Sequence, residues 1–236
     1  AGVDLMGTLN RVKTQELDLK MLFSSNGQNK QLDTFKESLR NLRYVIENTD
    51  GNKFLFTSTK KQEGKTFLIV TLAHAMTVKD KKILIIDTNF KNNTLTQMSK
   101  KTLKDNLLNT QLIGENNLDS EFVSKSINSQ FNLDNVDIIG NTGTYQSPSE
   151  VFAGKDFHKF VDGLAKNYDY IFFEGAPLNS YSDTKELVQY VDKVISVFAS
   201  ESDIKQVDQN SIDYLRSLGH KFLGGILNKM DLKDLK

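Results

Sequence analysis

The stretch TSTKKQEGKTF, residues 57–67, ends in Gly64-Lys65-Thr66-Phe67 and lies between two apolar runs, KFLFT and FLIVTLAHAM. A turn that leaves a buried strand and opens a helix at these residues aims backbone N–H groups and the positive end of the helix dipole at one spot, which makes an anion site. In such a loop Lys65 reaches the β- and γ-phosphates of a nucleotide and the Thr66 hydroxyl is a ligand for Mg²⁺. The tetrapeptide EGKT carries little weight alone; its place between strand and helix gives it meaning. The loop also departs from the usual pattern, because the position five residues before Gly64, normally glycine, is Thr59.

Two carboxylates follow later apolar runs, Asp87 after ILII and Glu174 after YIFF. A carboxylate at a buried strand end is costly unless a cation or a donor meets it, and a hydrated Mg²⁺ beside Thr66 would do so. The plainer alternative is that each caps the following loop through backbone N–H groups. The three histidines, His74, His158 and His220, have no second ligand at metal spacing, so zinc is not expected.

The elements that must position these groups are legible as alternation. Leu32, Phe35, Leu39, Leu42, Val45 and Ile46 recur at three- and four-residue steps and predict a first helix. Short apolar runs then alternate with helical patterns: KFLFT with 64–78, KILIID with helices from about 94 to 128, NVDIIG with 149–166, YDYIFF with 183–191, KVISVFA with 203–218, and finally FLGGILN. In the 149–166 segment Ser149 is a candidate cap. Strands that read as continuous apolar runs are buried on both faces, which predicts a three-layer α/β fold around a mostly parallel sheet. In such sheets ligands bind at the carboxyl ends of the strands, where Lys65, Asp87 and Glu174 fall. Residues 1–30, polar and weakly patterned, are expected to be an arm or linker, and 31–236 a single nucleotide-binding domain.

Composition bounds the rest. The chain has 236 residues with 30 Lys+Arg against 30 Asp+Glu, interspersed, so its overall field gives no reason to expect a nucleic acid partner. The absence of Cys excludes a disulfide framework, a thiolate metal site and a cysteine nucleophile, and favours the cytoplasm. No apolar stretch approaches the roughly 20 residues that span a bilayer. The opening AGVDLMG has no initiating Met and suggests a piece of something longer.

Taken in order, TSTKKQEGKTFLIVTLA, KKILIIDTNFKNNTLTQ, the segment from YDYIFFEGAP to VFASES and LGGILNKM resemble the Walker A, A′ and B stretches of bacterial tyrosine kinases. These are cytoplasmic ATP-binding domains of exopolysaccharide chain-length and export proteins, and the resemblance covers about 31–230. ESLRNLR in the first helix (Glu37, Arg40, Arg43) is similar to the E-x-x-R-x-x-R sequence that assembles rings in this family, though on physical grounds alone it is a helix face with an ordinary i,i+3 ion pair.

The resemblance implies a P-loop NTPase fold and Mg-ATP-dependent tyrosine autokinase activity between subunits. Lys65, Asp87 and Glu174 are the expected catalytic groups. Lys60, Glu63, Gly64, Lys65, Thr66, Phe67 and Asn228 are expected at ATP or ADP, with Asn228 at the adenine, and Thr66, Asp87, Asn89 and Glu174 at Mg²⁺. It also implies a ring oligomer, a membrane-embedded co-polymerase partner in cis or in trans, and a place on the cytoplasmic face of the inner membrane.

This sequence departs from the family pattern at several positions. Asn89 stands where a second Asp is usual and cannot act as a base. Glu174 stands for the Walker B Asp, and Gln62 for a common glycine. Lys60 matches the signature lysine of partition and septum-positioning ATPases, where it reaches a neighbour's nucleotide; a solvated side chain is the alternative. No tyrosine follows Tyr214, so the family's C-terminal acceptor cluster is not seen. Tyr44, Tyr168, Tyr170, Tyr190 and Tyr214 are expected to pack, while Tyr145 and Tyr181 fall in loops open to phosphorylation. The departures weaken catalysis more than binding. The alternative function is therefore an assembly module that binds nucleotide without transferring phosphate, and a partition-type ATPase is the remotest reading.

Overall fold

The structure, a computed structural model, describes residues 2–12, 29–98 and 135–234. Seven strands form one sheet: β1 (Leu5–Asn10), β2 (Lys53–Ser58), β3 (Ile83–Asp87), β4 (Val136–Ile139), β5 (Tyr170–Pro177), β6 (Lys193–Ala199) and β7 (Phe222–Met230). Their order is β1-β7-β6-β2-β5-β3-β4, and all six pairings are parallel. The helices are α1 (Lys30–Glu47), α2 (Lys65–Thr77), α3 (Thr94–Met98), α4 (Pro148–Val151), α5 (Phe157–Leu164), α6 (Asp183–Leu187) and α7 (Gln206–Ser217). This is the three-layer α/β fold expected. The helices anticipated beyond residue 98 lie outside the described residues.

Side-chain alternation divides the core between the two faces of the sheet. Phe54, Phe56 and Phe172 pack under α1 and α2, whereas Leu55, Ile171 and Phe173 pack on the opposite face with Phe157, Phe160 and Leu187. Helix α2 is buried almost all round, because it lies against the sheet and is covered by α1. Asn29 caps α1 by accepting from the N–H groups of Gln31 and Leu32.

Three local expectations are corrected. Residues 2–12 are not a free arm: β1 pairs in parallel with β7 at the sheet edge, and Leu9 and Asn10 are buried. Helix α4 is capped by Ser147, not Ser149, and Glu150 completes the capping box by accepting from the Ser147 N–H. Tyr44 does not pack; it is 66% exposed. Among the described residues no helix is long and apolar enough to cross a membrane.

Candidate functional site

β2 ends at Ser58 and α2 begins at Lys65, so residues 59–64 form the loop. Two residues there have left-handed backbone, Gln62 at φ 63° and Gly64 at φ 92°. Glycine adopts this conformation freely, while glutamine does so at a cost of about 1–2 kcal/mol. At Gly64 space matters as well, because a Cβ would lie 2.2 Å from Asn228 Nδ2.

The loop is held from inside and outside. The Glu63 carboxylate turns back to accept from the Lys60 N–H at 3.0 Å and from the Thr59 hydroxyl, so Thr59 has a role in the position where glycine is usual. From β7, Asn228 Nδ2 donates to the Glu63 carbonyl at 2.9 Å. Asn228 is 5% exposed and acts as a brace for the loop, although it also borders the cleft expected to hold the base.

Lys65 is 7% exposed and donates to Ser58 Oγ at 3.2 Å. Burial lowers the pKa of its ammonium, opposed by the carboxylates of Glu174, Glu63 and Asp87. Sheet register places Asp87 on β3 directly opposite Glu174 on β5. Asp87 Oδ1 accepts from the Asn89 N–H at 3.1 Å, and its Oδ2 accepts from the Thr96 N–H at 3.0 Å and hydroxyl at 2.6 Å. Glu174 Oε1 accepts from the Thr66 hydroxyl at 2.5 Å. Burial, then the facing Glu174, push Asp87 up to about 8. Glu174 is raised too, by burial, against the pull of Lys65 and the Thr66 hydroxyl. The two facing carboxyls therefore hold one proton between them near neutral pH, and Lys65 and Thr66 stabilise negative charge on Glu174.

These groups open into a cleft of about 550 Å³. The phosphate loop, Asn89, Asn92 and Thr94 line it, together with Asn10, Arg11 and Val12. Glu174 Oε2 and Asn89 Oδ1 are buried without a hydrogen-bond partner. With the Thr66 hydroxyl they are hard oxygen donors of the kind Mg²⁺ takes. Among the described residues no three His, Cys, Asp or Glu side chains converge on a metal position, so an ion here would be completed by phosphate and water. Asp87, tied to Thr96 and Asn89, is a supporting group behind that set.

Other expected site residues fall differently. Lys60 turns away from the cleft: its ammonium pairs with the buried Asp208 at 2.9 Å and also donates to the Asp203 carbonyl. Its expected place at the nucleotide is not seen. Glu63 faces its own loop, and Phe67 borders the cleft while packing on Phe35 with ring centroids 5.7 Å apart. Glu37 and Arg40 pair with each other at 2.6 Å, about 60% and 58% exposed. Arg43 is turned inward, donating to the Ala75 carbonyl at 2.9 Å. The helix thus offers two of the three expected assembly residues. Sequence reasoning missed Ser58, Thr96 and the wall at residues 10–12. Thr96 and Asn141, whose Nδ2 donates to the Asp87 carbonyl, carry no motif of their own.

A family model described as an AAA domain matches residues 54–207, more than half of the chain. The chain is 26% identical over 176 residues, 75% of each protein, to the tyrosine-protein kinase CpsD of Streptococcus pneumoniae serotype 4. Its fold is similar to that of the kinase domain of the Escherichia coli tyrosine kinase ETK, with TM-score 0.74, 20% identity and coverage of 98% of this chain and 92% of the other. It is also similar in fold to the septum site-determining protein MinD from Pyrococcus horikoshii, solved with Mg-ADP, at TM-score 0.57 and 20% identity over 75% of this chain and 70% of the other. Matched through the phosphate loop and both carboxylate-bearing strands, and related to tyrosine-protein kinases, the chain belongs to the AAA-domain family with a P-loop ATPase fold.

Proposed function

We propose that this chain binds Mg-ATP in the cleft above α2 and transfers the γ-phosphoryl group to a tyrosine hydroxyl of an adjacent subunit, as the cytoplasmic kinase domain of an exopolysaccharide or capsule export system at the inner membrane. The observation that carries the reading is the convergence of Lys65, Thr66 and Glu174 on one cleft, with two buried unpartnered oxygens, Glu174 Oε2 and Asn89 Oδ1, beside it. Mg²⁺ would be held by Thr66, Glu174 and Asn89, and supplies neutralisation of the charge shared by the β- and γ-phosphates.

This chain's own groups do the rest. The N–H groups at the start of α2 receive the phosphates, and Lys65 exchanges Ser58 Oγ for a phosphate oxygen. Thr66 must release the Glu174 carboxylate to meet the metal. Asp87, pinned by Thr96 and Asn89, faces Glu174 and acts on it as a charge-regulating neighbour. Exposed Glu37 and Arg40 would contact the next subunit, and a membrane-embedded co-polymerase portion, in cis or in trans, would organise the ring.

A second reading has its own support. Asn89 cannot act as a base, and Thr66 and Glu174 are bonded to each other, which suits a module that binds nucleotide and assembles without transferring phosphate. Calorimetric titration with ADP and ATP, with and without Mg²⁺, followed by labelling of a Glu–Tyr copolymer, separates the two. Metal-dependent binding with transfer that is lost in Lys65→Met supports the kinase. Binding without transfer supports the assembly module, and no binding at millimolar nucleotide refutes both uses of the cleft.

A further inference from the structure

All seven tyrosines lie among the described residues, so the structure permits a comparison of them as phosphoryl acceptors. An acceptor must bring its hydroxyl to within bonding reach of phosphorus at the bottom of a cleft, in line with the leaving oxygen. That requires a free ring on backbone that is not committed to a helix or the sheet. Tyr168 fails, being 8% exposed with its hydroxyl donating to Asp137 at 2.6 Å. Tyr170 is in β5, Tyr190 packs edge-on against Phe157, and Tyr214 sits in α7 beneath the Lys185 ammonium. Tyr181 is half-buried with the Lys61 ammonium 5.3 Å from its ring. Tyr44 is exposed but lies inside α1.

Tyr145 alone meets both conditions. It is 99% exposed and lies in the irregular segment between β4 and α4, on the carboxyl edge of the sheet. Its backbone is fixed: the Lys91 ammonium donates to the Tyr145 and Gln146 carbonyls, and the Thr144 N–H donates to Phe90 O at 3.0 Å. The capping box at Ser147 and Glu150 holds the other end. Fixed backbone with a fully solvated ring presents the hydroxyl to solvent at little ordering cost, and Tyr145 is not among the residues that line its own cleft.

Resting on the kinase reading above, we infer that Tyr145 is a phosphorylation site of this chain, modified in the cleft of a second copy. In the step, Tyr145 Oη forms a bond to the γ-phosphorus of ATP. The bond from that phosphorus to the β,γ-bridging oxygen breaks, ADP leaves with the electron pair, and the phenolic proton passes to solvent.

The test incubates the full chain with Mg-ATP, with the Glu–Tyr copolymer present in a parallel reaction, and maps phosphotyrosine by mass spectrometry. The expected result is phosphate on the peptide containing Tyr145 and its loss in Tyr145→Phe, with copolymer labelling unchanged. A size-tagged Lys65→Met chain mixed with the wild type should acquire phosphate on its Tyr145. Labelled copolymer with unmodified Tyr145 overturns the inference and leaves the kinase reading standing. Label on Tyr145 of the wild type but not of the tagged chain overturns transfer between copies. No label on either substrate refutes the kinase reading and the inference together.

Discussion

Replacing Asp87 with Asn should remove a defined part of the protein's sensitivity to pH. In the nucleotide-free and metal-free chain, Asp87 is fully buried opposite Glu174, and its pKa is pushed from the ordinary 3.8 up to about 8. An acid whose pKa is raised by folding holds a proton in the native state throughout the window between the two values. Unfolding in that window releases the proton, so raising the pH favours the unfolded chain. The penalty is absent below the ordinary value, grows as pH climbs to about 8, and is constant beyond it.

Each pH unit inside the window corresponds to about 1.4 kcal/mol for one proton, so the loss from pH 5 to pH 7 is on the order of 3 kcal/mol. For a domain of this size that is a fall in Tm of roughly 2–4 °C per kcal/mol. The groups with lowered carboxylate values, Asp169, Glu201 and Asp208, titrate below the two pH values compared. Glu63, Asp137, Asp183 and Glu174, which are raised, act with the same sign as Asp87, and Lys65, which is lowered, acts with the opposite sign. Glu63, Asp137 and Asp183 are common to wild type and variant, whereas Glu174 and Lys65 interact with position 87 and shift with it, so the comparison reads the Asp87–Glu174 pair. The assay is urea unfolding of wild type and Asp87→Asn at pH 5 and pH 7. The substitution costs stability at both values, but the pH difference is what is read. An equal pH difference in the two proteins would refute a proton held by the Asp87–Glu174 pair.

The same proton should appear on ligation. Binding of Mg-ADP near pH 7 should release about one proton as positive charge reaches the carboxylate pair, seen as a dependence of calorimetric heat on buffer ionisation enthalpy. A heat independent of buffer would contradict it. Gly64→Ala should unfold more easily by more than about 1 kcal/mol and lose nucleotide binding, because positive φ and the Asn228 contact oppose a Cβ together; a fully binding variant would show that the loop relaxes. Glu63→Ala leaves the Lys60 N–H without its acceptor and should cost about 1–3 kcal/mol in thermal unfolding, whereas an unchanged Tm would deny Glu63 its bracing role. Glu37→Ala with Arg40→Ala removes an exposed pair and should change stability by no more than about 1 kcal/mol, while abolishing any self-association seen by light scattering. An unchanged mass in the double variant would remove α1 from the assembly surface.

The central strands were legible because burial on both faces leaves near-continuous apolar runs, as in ILIID and YIFF. The strand ends then located Asp87 and Glu174 together, since parallel strands in register deliver their carboxyl ends to one edge. β1 was not legible: LMGTLN is an edge strand with an exposed start, a glycine in the middle and only Leu9 and Asn10 buried. The direction of Lys60 was hidden for a different reason. Its partner Asp208 belongs to α7, far away in sequence, and no local pattern reports a contact between distant elements. Arg43 illustrates the same limit, because its spacing suits a neighbour while its guanidinium satisfies a carbonyl of α2 within the same chain.

Among the described residues β1 pairs with β7 alone, so the sheet joins two strands that lie far apart in sequence. During synthesis the N-terminal strand emerges early but has nothing to pair with until residues 222–230 are available. Asn228, which braces the phosphate loop, arrives in that same final strand. The cleft wall at residues 10–12 and the brace on Glu63 are therefore completed in a single late event. A chain cut short before β7 loses both the partner of β1 and the brace on the phosphate loop.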